Sequence, residues 1–297
     1  MTTAEKYYPL AFLLMWSSGA IFVKLGLEDA SVSVFLTIRS VGAVLALLIA
    51  CWLTAPHYKL KESLLLPKAL LIRVMGVGVL LQVAYQAAYF FALNHHMSPG
   101  VLALILGFQP LLTPIFASER IGRAGSLYLL LGLSGLTIAL LGARELGSIT
   151  AIGLCFGLGS VLAITAGAVL QKNTTINPVT AAFYHALIAS TTFLAVLPFT
   201  DIRLSLTPTF VVSALWMSTV VSTLAVVLLF KMLARNSASK VGVLFYMVPV
   251  ITMAMDYLAF GNKINWLTLL GACLVMVAVK GFGATQAKPD TPTIEKQ

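Results

Sequence analysis

Arg39 lies about eight residues into an apolar segment, roughly 12 Å along a helix at 1.5 Å per residue. A charge near a bilayer centre costs about 2.5–3.5 kcal/mol on insertion scales, so a chain keeps it there for a partner or a wet cavity. A guanidinium in that place either grips a carboxylate or phosphate with its planar fork, or snorkels and clamps helix-end carbonyls. The residue alone leaves both readings open. A second set lies on Gln82, Tyr85, Gln86 and Tyr89, whose spacing puts two amides and two phenols on one helical face. Lipid would leave their donors unsatisfied, so they line a cavity or bond a neighbouring helix.

Other candidates are single. Tyr184 and His185 lie in the seventh apolar segment, with His185 near the place that Arg39 takes in the second. An imidazole there either carries a proton or rests neutral and hydrogen-bonded. Asp256 is the one acid clearly inside an expected span; it binds a proton or cation, or pairs with Lys263. Trp16 offers a ring for stacking or for filling a helix interface. Gln109 and Tyr246 stand beside Pro110 and Pro249, where proline frees a backbone carbonyl one turn earlier. These residues line a path, or the prolines only kink their helices. The hydroxyls of Ser218, Thr219, Ser222 and Thr223 can return to carbonyls of their own helix and read as structural.

Several chemistries find no support. His95-His96 are adjacent at a turn, without the cysteine or carboxylate company of a metal site. Gly76-x-Gly78 follows no strand and is not a nucleotide loop. No nucleophile elbow, paired catalytic carboxylates or Walker motif is present. The expectation is a protein that is not an enzyme and takes no cofactor or metal.

The elements that must position these side chains follow from composition. Hydrophobic residues make up 59% of the 297, charged residues 10%, and the mean hydropathy is +0.96. Soluble domains carry about 25% charged residues, so lipid must be the solvent here. The net charge of +9 is scattered singly between apolar runs and builds no phosphate track, which argues against nucleic acid. Cys51, Cys155 and Cys273 are odd in number and each lies in an apolar run, reading as buried small hydrophobes rather than a disulfide framework. The first apolar run has no small-x-small cleavage site before Lys24 and is expected to stay.

A helix needs about 20 apolar residues to cross a bilayer. That window places spans near 8–25, 32–54, 69–93, 98–117, 125–143, 149–171, 178–198, 209–233, 238–260 and 264–283. With the N-terminus inside, fourteen Lys and Arg fall on the cytoplasmic side and four (Lys24, Arg144, Arg203, Lys263) outside. This bias supports both termini in the cytoplasm. Small residues at four-residue spacing, Gly153 and Gly157, then Gly159, Ala163 and Gly167, with Gly135 and Ala139 in the fifth span, mark candidate close packing.

The second half repeats the first. Shifted by 139, Phe91 falls on Phe230, Ser98 on Ser237, Pro110 on Pro249, Gly132 on Gly271 and Gly142 on Gly281, without a gap. A unit of five spans is odd, so its second copy enters the membrane inverted, as in many transporters. The expected architecture is an all-α integral membrane protein: ten transmembrane helices as two inverted five-helix repeats, 1–145 and 146–284. Residues 285–297 are expected to form a disordered cytoplasmic tail.

Some of these residues resemble a known family. Trp16-Ser17-Ser18-Gly19 running to Lys24 is similar to the opening helix of the EamA-like branch of the drug/metabolite transporter superfamily, with Ser17 where a Gly is usual. Arg39, the passage Ser98-Pro99-Gly100 to Gln109-Pro110, and Glu119-Arg120 followed by Gly132 resemble further marks of that family. The resemblance covers residues 8 to 283 and implies a ten-helix inverted-repeat carrier of small metabolites, often outward.

The reading of the whole is a secondary transporter of the inner membrane, exporting amino acids or related zwitterions by alternating access. Trp16, Tyr85 and Tyr246 would give apolar faces, Gln82, Gln86 and Gln109 hydrogen bonds, and Arg39 an anion partner, with Tyr184 and His185 nearby. Asp256 and His185 are the candidates for proton coupling. A multidrug or cationic-compound exporter of the same fold, or a channel-like facilitator, is the alternative. The expected partners are a small-molecule substrate and membrane lipid, and the sequence leaves a homodimer open.

Overall fold

Five of the helices begin where a polar side chain satisfies a free backbone N–H group of the first turn. All five lie after residue 150: Thr150, Asn177, Thr207, Ser237 and Asn265 each accept a hydrogen bond from the first turn of the helix that follows. In a computed structural model that describes residues 3–54, 65–97, 99–143, 150–261 and 265–286, the chain is helical, with one isolated antiparallel β-bridge between Ala30 and Leu204. The helices are α1 (Glu5–Asp29), α2 (Val32–Ala50), α3 (Lys68–Leu93), α4 (Val101–Ala117), α5 (Arg123–Gly142), α6 (Ala151–Lys172), α7 (Pro178–Phe199), α8 (Pro208–Arg235), α9 (Ala238–Ala259) and α10 (Trp266–Thr285). Among the described residues, nine are long and apolar enough to cross a membrane.

The exception is α4. A turn at Gly107–Phe108 interrupts it between the helical stretches Pro99–Leu106, which starts two residues ahead of it, and Gln109–Ala117, with Pro110 in the first turn of the second. The expected span at 98–117 is therefore a broken helix. The counterpart of the break lies in α9, where 3-10 geometry at Val243–Tyr246 precedes the segment that carries Pro249. Two π-helical segments, Val79–Ala84 in α3 and Met217–Ala225 in α8, also fall on each other under the shift of 139. Their i→i+5 pattern widens the helix by one residue per turn. The amide of Tyr85 reaches back to Leu80 O, and the Thr223 hydroxyl donates to Ser218 O, each five residues away.

Packing follows the glycines. A Cβ on Gly271 of α10 would stand 2.3 Å from Ala139 N and 2.4 Å from Gly135 O of α5, so the two helices touch backbone to backbone. Gly142 meets the backbone of Thr268, and Gly281 meets the ring of Tyr128, which fixes α5 and α10 as antiparallel. Elsewhere α2 packs on α7 and α8, α3 on α6 and α7, α1 on α8 and α9, and α4 on α6 and α9. Leu10, Trp52, Phe199, Leu206 and Leu258 stand exposed on the outside. In water such a surface would aggregate; lipid is the solvent that suits it.

Two sequence expectations need correction. Cys155 and Cys273 are exposed rather than buried, because an apolar segment in lipid can turn a small apolar side chain outward at no cost. The side chain of Cys51 lies outside the described set. Gly159 faces open space, whereas Gly153, Gly157 and Gly167 meet Met97, Ile105 and Leu81 of the neighbouring helices. Asp256 stands 4.0 Å from Lys24 of α1; Lys263, its expected partner, lies outside the described residues.

Candidate functional site

The polar centre of the molecule lies between α2, α3, α7 and α8. Arg39 Nε donates to Ser222 Oγ at 2.7 Å. Ser222 is near the midpoint of the 28-residue α8, so the guanidinium is held at depth rather than returned to the membrane surface. Gly42, one turn along α2 from Arg39, permits this approach: a Cβ there would stand 2.4 Å from Ser218 Oγ. Among the described residues no carboxylate pairs with Arg39. The phenol of Tyr85 lies within its electrostatic reach.

Opposite the arginine, Gln86 Nε2 donates to Gln82 Oε1 at 2.6 Å. One bond within the pair leaves one amide carbonyl and one amide NH2 for other partners. Arg39, Gln82, Gln86, Ser40 and Ser222 line a cavity whose remaining wall is small: Ala43 of α2 and Ala182, Ala186 and Ala189 of α7. Its volume is about 10 Å³, room for about one water. As it stands, the cavity has no room for a molecule larger than water.

Six other sequence-derived candidates lie outside the lining of this cavity. His185 is 1% exposed, and its ring meets that of Phe230 edge-on at 5.1 Å. It shares a face of α7 with Ala182, Ala186 and Ala189, and Gly78 of α3 leaves space for its backbone and ring. Among the described residues neither ring nitrogen meets strict hydrogen-bond geometry, and the backbone of Val74 in α3 is the polar group within its reach. Trp16 packs on Phe12 and Phe245, with centroids 5.3 and 5.8 Å away, and so fills the contact between α1 and α9. Tyr246 is fully buried and donates to Leu129 O of α5 at 2.9 Å, with its ring against Gly132. Gln109 is buried on α4, and Tyr184 is half-buried beside Phe183. Asp256 remains at the periphery with Lys24. None of these six lines the cavity.

The sequence reading treated Ser222 as structural and passed over Ala182, Ala186 and Ala189. The alanines had a signal: small residues at i, i+4 and i+7 opposite an arginine describe a wall that keeps space open. Ser222 had none, because its bond joins residues 183 apart.

Both ends of the cavity are tied. At one end, the turn between α1 and α2 pairs with the α7–α8 connection. There Ser31 N donates to Arg203 O and Ser205 N to Asp29 O, at 2.9 and 2.8 Å, and Thr207 Oγ1 donates to Asp29 Oδ2. The Arg203 guanidinium donates to the carbonyls of Leu27 and Glu28. At the other end, Lys172 Nζ donates to Asn236 O at 2.6 Å and Arg73 donates to Asn173 O at 3.0 Å. There too, Glu5 and Arg235 form an ion pair.

Helices of this length and apolarity, with a tied polar cavity between them, define a multi-pass membrane protein. Residues 151–282 match the model of the EamA-like transporter family, consistent with the drug/metabolite transporter superfamily. A solved crystal structure aligns over 96% of this chain and 98% of its own, with a TM-score of 0.79 at 18% identity, a likeness of fold. No curated protein matches the chain.

Proposed function

We propose that the protein is a secondary transporter that exports small metabolites, amino acids or related zwitterions first, across the inner membrane. In this reading ten helices form two inverted units, 1–145 and 146–284, that rock about their seam and open the site to each side in turn. The principal helix contacts support the inversion: adding five to each helix number, cyclically, exchanges α1–α8 with α6–α3, α1–α9 with α6–α4, and α2–α8 with α7–α3, and returns α2–α7, α4–α9 and α5–α10 to themselves. The matched π segments and helix breaks support it too. Both termini are cytoplasmic in this arrangement, as the Lys and Arg distribution favours.

One observation carries the choice of substrate. Arg39 is a cation without a carboxylate partner among the described residues, and it lines a cavity opposite an amide pair. A carboxylate would neutralise it, and the free amide carbonyl suits an ammonium group. A cation exporter calls for an acid at the cavity, and Asp256 is instead beside Lys24. Trp16, Gln109, Tyr184 and Tyr246 act on this site through helix packing in the contracted state. The chemistry asked of the protein is binding and movement, with no bond made or broken, and its partners are the solute and the surrounding lipid.

Uptake of labelled amino acids into liposomes containing the purified protein, with and without a pH gradient, tests this reading. Saturable counterflow is the expected result. Linear, non-saturating flux would replace it with a facilitator. A rate that rises with the gradient and falls in His185→Gln would assign His185 to proton coupling; equal rates in both conditions would remove obligatory coupling.

A further inference from the structure

Arg39 has one nitrogen already engaged. A guanidinium can meet a carboxylate side-on, through Nε and one terminal nitrogen, or end-on through both terminal nitrogens. Ser222 accepts from Nε at 2.7 Å and so occupies the side-on edge. The serine reaches that point because α8 is π-helical over Met217–Ala225 and because Gly42 lets α8 close on α2. Gln82, on the facing wall, is likewise delivered by a π segment, Val79–Ala84.

We propose that Ser222 is a positioning residue for the Arg39 site: it holds the guanidinium by Nε so that only the end-on fork is offered, and thereby sets selectivity for a carboxylate over its uncharged amide. Ser222 belongs to the other half of the chain, so the fork is correctly aimed only while α2 and α8 are together. The inference rests on the anion-binding reading of Arg39.

The test is thermal stabilisation of the purified protein by each of the twenty L-amino acids and by the corresponding L-amino acid amides. For the wild type, at least one acid should stabilise better than its amide. Ser222→Ala should lower that preference about tenfold, the size of one charge-assisted hydrogen bond. Ser222→Thr, which keeps the acceptor, should restore it. In an Arg39→Lys background, Ser222→Ala should have no further effect, a result that a merely structural serine would not give. If Ser222→Ala does not fold, Ser222→Cys takes its place, as a small side chain with a weak acceptor. A full acid preference in the folded Ser222 variant overturns the positioning role and leaves Arg39 as the anion partner. No acid preference in the wild type overturns the anion-binding reading, and the inference falls with it.

Discussion

Glu119, in the link between α4 and α5, caps a helix in the other half: its Oε1 accepts from Ala238 N at 2.7 Å and its Oε2 from Ser239 N at 3.1 Å. A carboxylate on the first turn of α9 satisfies two free donors and meets the positive end of the helix dipole. Glu119→Gln keeps one acceptor and loses the charge and the second. It should lower stability by about 1–2 kcal/mol, read as a fall of several degrees in the unfolding midpoint of the purified protein. An unchanged midpoint would mean that the cap contributes nothing measurable.

The contact of α5 with α10 leaves no space for a side chain at Gly271, since the atoms in the way are the backbone of Ala139 and Gly135. Gly271→Val should cut the yield of monodisperse protein severely. Gly283→Ala makes the control, because a Cβ there meets nothing within 4 Å. Equal elution profiles for the two variants would contradict the packing.

Ala186 is buried on the α7 wall of the cavity. Leucine in its place would intrude on a space that holds about one water, at an overpacking cost of about 1–3 kcal/mol. Ala186→Leu should fold, with an unaltered helical circular dichroism spectrum, and lose solute counterflow at least about tenfold. Retained counterflow would move the site elsewhere.

The Ala30–Leu204 bridge holds two connections together at one end of the cavity. Directly opposed residues in an antiparallel pair lie within disulfide reach. In a background free of the three native cysteines, Ala30→Cys with Leu204→Cys should cross-link under oxidation and stop counterflow, and a reductant should restore it. Undiminished flux through the cross-linked protein would exclude movement at this end.

How much of this was readable beforehand depends on whether the cause is local. Spans and caps are local: hydropathy gives the long helices, and Thr150, Asn177, Thr207 and Ser237 start helices by contacts within a few residues. Arg39, Gln82 and Gln86 were also legible, since polarity in lipid carries a cost that must be met somewhere. The sequence reading set these three in one site, and they do line one cavity; the part of Ser222 in it was not legible, because that depends on a π segment that turns the face of α8 away from the 3.6-residue pattern. Tyr246 shows the same limit: its sequence places it beside a helix break, and only the fold decides that its hydroxyl turns to Leu129.

The carboxylate tie on α9 has no twin. Under the shift that relates the halves, Glu119 falls on Leu258, an aliphatic side chain 80% exposed at the lipid boundary. A machine with two identical halves would idle evenly between its extremes; this one is weighted. If the halves rock as proposed, any motion that parts the α4–α5 link from the start of α9 must first supply the free energy to pull that carboxylate from the two amides it holds.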